Sequence, residues 1–295
     1  MPGHASSIQN VKPYTTLFLL LTINDNPEGS RFRLPFLCSG RLLSKMDNPS
    51  KNIKMIIQYD GKNYHGWQRQ KNDNTIQGIL ENNLKKMTGE IITLYASGRT
   101  DSGVHALNQV CNFRSDTDIA PGSLQNGLNS LLPDDIYIRE VSYADPEFHS
   151  RYSAKRKSYE YRVLNRKERN IFLREYSWHV TRDLDLDEMA ECLSMLVGRH
   201  DFTSFKSAGS SNLDPVREMY RAEIIPHDEN YLLKFAFEAE GFLRHMVRNI
   251  VGTVIDAGTG KISAGDFRKI FDARDRKKAG IKAPPQGLFL TMVYY

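Results

Sequence analysis

The sequence predicts a mixed α/β fold: two tandem ferredoxin-like, RRM-like βαββαβ units with antiparallel sheets and a basic cleft between them. Short segments of period-two alternation are interleaved with segments of helical period. Their order, strand-helix-strand-strand-helix-strand, occurs twice. At 295 residues and 40% hydrophobic content, the chain can fill two ordinary cores.

The first unit begins with Ile53, Met55, Ile57 and Tyr59, which alternate with Lys54, Ile56 and Gln58 and run into an Asp60-Gly61 turn. Asn74 or Thr75 can cap a helix carrying Ile76, Leu80, Leu84 and Met87, and Gly89 can end it. Ile91–Tyr95 and Val104–Phe113 read as strands. Pro121 opens a helix with Leu124, Leu128 and Leu131 on one side, and Ile136–Val141 alternates again.

In the second unit Tyr159, Tyr161 and Val163 share a strand face, and Asp185 caps a helix with Leu186, Met189, Ala190, Leu193 and Val197 inward. Glu218–Ile225 and Tyr231–Glu240 form a hairpin over His227–Asn230. Gly241 turns the chain into a helix whose stripe is Leu243, Val247, Ile250, Val251 and Val254. A further helix, capped by Ser263, runs to about Phe271, and Leu288–Tyr295 closes as a strand.

Residues 1–50 match neither unit. Leu17–Leu21 is far shorter than the ~20 residues that span a bilayer. Asn24, Asp25, Asn26 and Pro27 follow it in place of a small-residue cleavage site. The regular pattern starts just after Met46. Residues 1–50 are therefore expected to be a disordered extension or a mis-assigned start, with translation beginning at Met46. The two domains are expected at 51–152 and 153–295. Cys38, Cys111 and Cys192 fit no disulfide or metal spacing, which predicts a reducing, cytoplasmic setting.

Charge is uneven. Between Arg151 and Arg182 ten Lys/Arg face three Glu, so this segment is more basic than the chain as a whole, which carries +5. A basic block on a near-neutral body suits a polyanionic partner, although a solvated basic face has the same composition. There is no Walker A sequence, no glycine-rich dinucleotide fingerprint, and no zinc or RNP1 motif.

Four stretches can carry chemistry. In Ala96–His105, two glycines bracket Arg99, Thr100 and Asp101 between two strands. Spacing alone also fits a polar turn with a surface salt bridge. A carboxylate beside Arg99 is favoured in its charged form, which suits a nucleophile or base. His105 reads as a structural histidine. In Phe242–Asn249, Arg244 and Arg248 lie one turn apart beside an apolar stripe and call for an anion, either phosphate or an acid such as Asp101. Tyr159 and Tyr161 lie within the basic block, where aromatics among cations can stack bases, or can simply pack a core. The loop Tyr64–Gln70 offers Trp67, Gln68 and Arg69 for stacking and hydrogen bonding, or for packing itself.

Six stretches together resemble the tRNA pseudouridine synthase A family. They are Tyr59-Asp60-Gly61 with Gly66–Gln70, Gly98–Ala106, Phe148–Ala154 with Tyr159-Glu160-Tyr161, His200–Phe205, Met246–Gly252, and Gly287-Leu288. The resemblance runs from about Ile53 to the C-terminus. It implies isomerisation of uridine to pseudouridine without cofactor or metal, typically at nucleotides 38–40 of the tRNA anticodon stem-loop, by a homodimer. It makes Asp101 the essential aspartate, Arg248 the cation paired with it, Arg99 a neighbour and Tyr159 the aromatic stacked on uracil. With Trp67, Gln68, Arg69, Arg244 and Leu288, these residues complete the candidate site. Glu160 stands where many relatives carry a basic residue. Two other classes remain open: a non-catalytic RNA-binding module, and a metal-dependent nuclease using Asp101 and His105.

Overall fold

A computed structural model describes residues 50–207, 214–227 and 232–295. The expectations for residues 1–49, including the start at Met46, and for most of the His227–Asn230 turn lie outside the described residues.

The strands and helices follow in chain order. The first half holds β1 (Lys51–Tyr59), α1 (Ile76–Thr88), β2 (Tyr95–Ala96), β3 (His105–Ser115), α2 (Pro121–Leu131) and β4 (Ile136–Tyr143). The second holds β5 (Arg156–Asn165), β6 (Trp178–Val180), α3 (Leu186–Ser194), β7 (Gly198–Asp201), β8 (Val216–His227), β9 (Leu232–Ala239), α4 (Met246–Gly258), α5 (Ala264–Asp272) and β10 (Leu288–Tyr294).

The strands form one mostly antiparallel sheet in the order β4-β1-β3-β10-β5-β9-β8-β7, with β2 on β3 and β6 on β5. The last strand joins the halves. Phe289 and Leu290 pair parallel with His105 and Ala106 of β3, while the other edge of β10 runs antiparallel to β5. Two apolar cores lie against this sheet, one in each half, and Tyr159 packs against both.

Local signals account for most elements. Thr75 Oγ1 accepts from the Gly78 N–H at the start of α1, and Gly89 ends it in the left-handed region at φ 76°. Asp185 accepts from two amides at the start of α3, and Ser263 forms a capping box with Asp266 on α5. Leu124 and Leu128 are fully buried as the period requires, but Leu131 is exposed. The chain leaves the helix there and Leu132 takes the inward place.

Three expectations are corrected. The strand expected at Ile91–Tyr95 is reduced to the two residues of β2, Tyr95 and Ala96, which pair with Asn112 and Cys111 of β3. Ile91 is 85% exposed, whereas Ile92 and Leu94 are buried. The Leu94 N–H donates to Glu81 Oε1 (3.0 Å) and its carbonyl accepts from Gln77 Nε2 (3.2 Å). The alternation reported burial; the backbone partners are side chains of α1. The helix expected from Gly241 starts only at Met246, so Leu243 and Arg244 lie in the preceding loop. Val197 is exposed beyond the end of α3. The short strands β6 and β7 are too brief for a periodic signal.

Candidate active site

The loop between β2 and β3 is clamped from several directions. Tyr59 Oη lies 2.8 Å from Thr100 Oγ1, and the Trp67 N–H donates to the Thr100 carbonyl (3.1 Å). Gln109 Nε2 donates to the Gly98 carbonyl (2.9 Å), and Lys157 Nζ donates to that of Ser97. Gly103 N–H and Ser102 Oγ both reach the Tyr64 carbonyl. Burial pushes the Tyr59 hydroxyl up to about 12, so it stays a neutral hydrogen-bonding post.

Gly66 is required here. Its φ is 86°, and a Cβ would lie 2.6 Å from the Thr100 carbonyl oxygen. A Gly66→Ala variant is expected to lose about 1–3 kcal/mol of stability and to displace the loop. Thermal melts and turnover check this; wild-type values for both would contradict it.

Asp101 projects from this loop into a cleft of ≈1270 Å³. Arg248 Nη1 donates to Asp101 Oδ2 at 3.2 Å, and His245 Nε2 lies 3.4 Å from Oδ1. The Arg248 side chain is only 7% exposed, and its Nε donates to the Ala283 carbonyl at 2.8 Å. The guanidinium is thus held by backbone on one side and presents its other donors to the carboxylate. Gly252, one turn further along α4, lets the chain at Ile281 pass close: a Cβ there would fall 1.8 Å from the Ile281 carbonyl oxygen.

Sequence reasoning missed His245. It caps α4 in the left-handed region at φ 62°, and its Nδ1 lies 2.8 Å from Ser207 Oγ. Burial lowers its pKa; Asp101 pulls it up, while Lys282, Arg248 and Arg244 push it down. Its place between Arg244 and Arg248 was visible, but nothing in the sequence announces a positive φ. Lys282 and Lys157, also in the cleft, carried no motif either.

The other candidates divide. Tyr159 lines the cleft with its ring edge-on to Phe242 at 4.9 Å, and burial, with Tyr59 and Asp101 adding, raises its pKa. Arg99, Gln68, Arg244 and Leu288 also line the cleft. Arg99 is exposed and makes no ion pair among the described residues, so the side chains that touch Asp101 are the Arg248 cation and the His245 imidazole. Trp67 is 1% exposed and packs under the loop near Tyr59 at 6.2 Å. Arg69 points to Glu81 at 2.6 Å. Tyr161 is fully buried, with its hydroxyl donating to the Pro284 carbonyl.

His105 is buried, stacked on Phe289 at 4.6 Å; its Nδ1 accepts from the Gly61 N–H and its Nε2 meets the Glu175 carbonyl. Burial lowers its pKa, and it does not meet Asp101. Part of the basic block pairs with local acids: Arg156 with Glu238, Arg162 with Glu160, Arg166 with Glu168, and Arg174 with Glu175. Of the block, only Arg151 and Lys157 line the cleft with a positive charge.

The cleft wall nevertheless carries seven Lys/Arg against Asp73 and Asp101. A carboxylate braced on a buried guanidinium, with an aromatic ring and cations lining the same cleft, is an arrangement suited to a flat ring attached to a polyanion. The family model described as tRNA pseudouridine synthase matches residues 55–153 and 193–295. The chain is 46% identical over 245 residues to tRNA pseudouridine synthase A of a Thermoanaerobacter species, across 83% of this chain and 100% of that protein. It is 47% identical over 247 residues to the protein of the same description from a Geobacillus species, across 83% and 99%. The chain belongs to the tRNA pseudouridine synthase family. Among the described residues no cluster of three or more metal-binding side chains occurs, and no helix is long and apolar enough to cross a membrane.

Proposed function

We propose that this chain isomerises uridine to pseudouridine in tRNA, at the anticodon stem-loop positions 38–40 that the family resemblance implies, with Asp101 as the reacting carboxylate. The observation that carries the reading is the Asp101–Arg248 pair at 3.2 Å in a cation-lined cleft. Membership of the family supports the reaction class.

The reaction breaks the bond between N1 and C1′, turns the uracil, joins C5 to C1′ and moves the C5 proton to N1. No atom is gained or lost. An ionised carboxylate serves the first stage either by adding to C1′ or by removing the 2′ proton. Arg248 steadies its charge. Extracting the base from the stem-loop costs a few kcal/mol, which the Tyr159 ring and phosphate contacts to Arg99, Arg244 and Lys282 offset. Tyr159 keeps its phenolic proton because burial raises its pKa. It therefore serves as a stacking face, and Asp101, now next to C5, takes the C5 proton.

The halves 51–152 and 153–295 act as two walls, a reading supported by the two separate cores and by Tyr159 between them. A homodimer in the cytoplasm completes the proposal.

Tritium release from tRNA labelled at uridine C5, run with a chelator, tests it. Release with intact RNA is expected. Intact RNA that binds without release would leave a binding module, and strand cleavage lost on chelation would indicate a nuclease.

A further inference from the structure

Three aromatic rings stand in the same cleft away from the Asp101 pair. Tyr95 and His149 have ring centroids 5.2 Å apart, and His149 and Tyr152 are 4.4 Å apart. The Arg151 guanidinium lies 5.6 Å over the Tyr152 ring. Tyr152 is 76% exposed and Tyr95 48%. Isolated exposed tyrosines are ordinary, but three adjoining rings in a concave basic wall are an unpartnered stacking surface.

The surface is held rigid from behind. Buried Ser150 donates its hydroxyl to the Tyr95 carbonyl, and its N–H donates to Asn112 Oδ1 at 2.9 Å. The His149 N–H donates to Ser153 Oγ (3.1 Å), the Arg151 N–H donates to His149 Nδ1 (3.1 Å), and Tyr295 Oη donates to the Ser150 carbonyl (2.8 Å). Little ordering remains for a ligand to supply.

The cleft that holds the rings also holds cations with no paired acid. Arg151, Lys157 and Arg217 line the cleft and have no carboxylate partner among the described residues. Lys157 donates to the Ser97 carbonyl, and Arg217 to those of Asp214 and Val216. Burial, then Arg151 and Arg217, lower the Lys157 pKa to about 8, so the three charges crowd one another. A phosphate relieves that crowding.

We propose that Tyr95, His149 and Tyr152 form a second stacking subsite for one unpaired base of the substrate RNA, with Arg151, Lys157 and Arg217 holding that nucleotide's phosphate. This rests on the RNA reading above and extends it beyond the target uridine. Drawing one base out of a loop removes a stacking partner from its neighbour. A ring platform in the same cleft replaces that partner, and because every base has a π-face it tolerates sequence variation.

The test measures RNA affinity and steady-state kinetics for wild type, Tyr152→Ala and Tyr152→Phe at one salt concentration. The substrates are an anticodon stem-loop RNA and a series with one abasic nucleotide at a time. Tyr152 is exposed, so its removal leaves the fold intact. Tyr152→Ala is expected to weaken binding roughly tenfold, the size of one lost base–aromatic stack, with the loss in KM rather than kcat, and Tyr152→Phe to restore it. At one abasic position, other than the target uridine, wild type and Tyr152→Ala should bind equally. Affinity of Tyr152→Ala within twofold of wild type, or an equal loss at every abasic position, would overturn the subsite. Failure of the isomerase reading shows separately, as absent tritium release by wild type whatever the binding data.

Discussion

Asp101→Asn is expected to cut pseudouridine formation by at least about 10³, within the range for removing a positioned acid–base group, while tRNA affinity stays near wild type. The substitution keeps the shape of the side chain, and the amide oxygen can still accept from Arg248 Nη1. What it removes is charge and basicity. Asparagine can neither add to C1′ nor take a proton from 2′ or C5, so both proposed roles end together. Binding should survive because the cleft keeps all seven cations and the Tyr159 face. Kinetics alongside filter binding check the split. Turnover within tenfold of wild type would remove Asp101 from the mechanism.

Arg248→Met should damage both fold and activity. The side chain is almost fully buried and makes two bonds, to the Ala283 carbonyl and to Asp101. Methionine fills similar volume but leaves a carbonyl and a partly buried carboxylate without their partner. Breaking a buried pair in this way costs about 3–5 kcal/mol, which lowers Tm by roughly 10 °C in a chain of this size. Turnover should fall even where the protein is fully folded, because Asp101 loses the contact that fixes its orientation. The Asp101→Asn/Arg248→Met double variant should lose less than the sum of the single losses, as expected for residues in contact. Additive losses, or an unchanged Tm, would show that the pair is not coupled.

The contrast between Asp101 and its partners shows what the sequence could reveal. Periodicity placed β1, α1, α2 and α5 nearly to the residue, because each buries one face and is bounded by a cap, an opening proline or a glycine of known chemistry. It mistook 91–94 for a strand, because alternation reports burial of Ile92 and Leu94 and says nothing about backbone partners, here Glu81 and Gln77. Asp101 stood out because two glycines framed it. Local spacing set only Arg99 beside it, and Arg248 entered as its partner through the family resemblance; the contacts come from Arg248 and the unforeseen His245, 147 and 144 positions further along the chain. Such pairings are set by how the sheet brings α4 to the loop after β2, which no local pattern encodes. Net charge misled for a related reason: of the ten basic residues in the block only Arg151 and Lys157 line the cleft, and its other cations are drawn from elsewhere in both halves.

The central claim is that the Asp101 carboxylate carries out uridine isomerisation in tRNA. It is tested most directly by mapping pseudouridine, nucleotide by nucleotide, in unmodified tRNA incubated with purified wild type or Asp101→Asn. Wild type should convert uridines of the anticodon stem-loop, and the variant should convert none while still binding the RNA. An identical map from the two proteins, or no pseudouridine from wild type, would contradict the account.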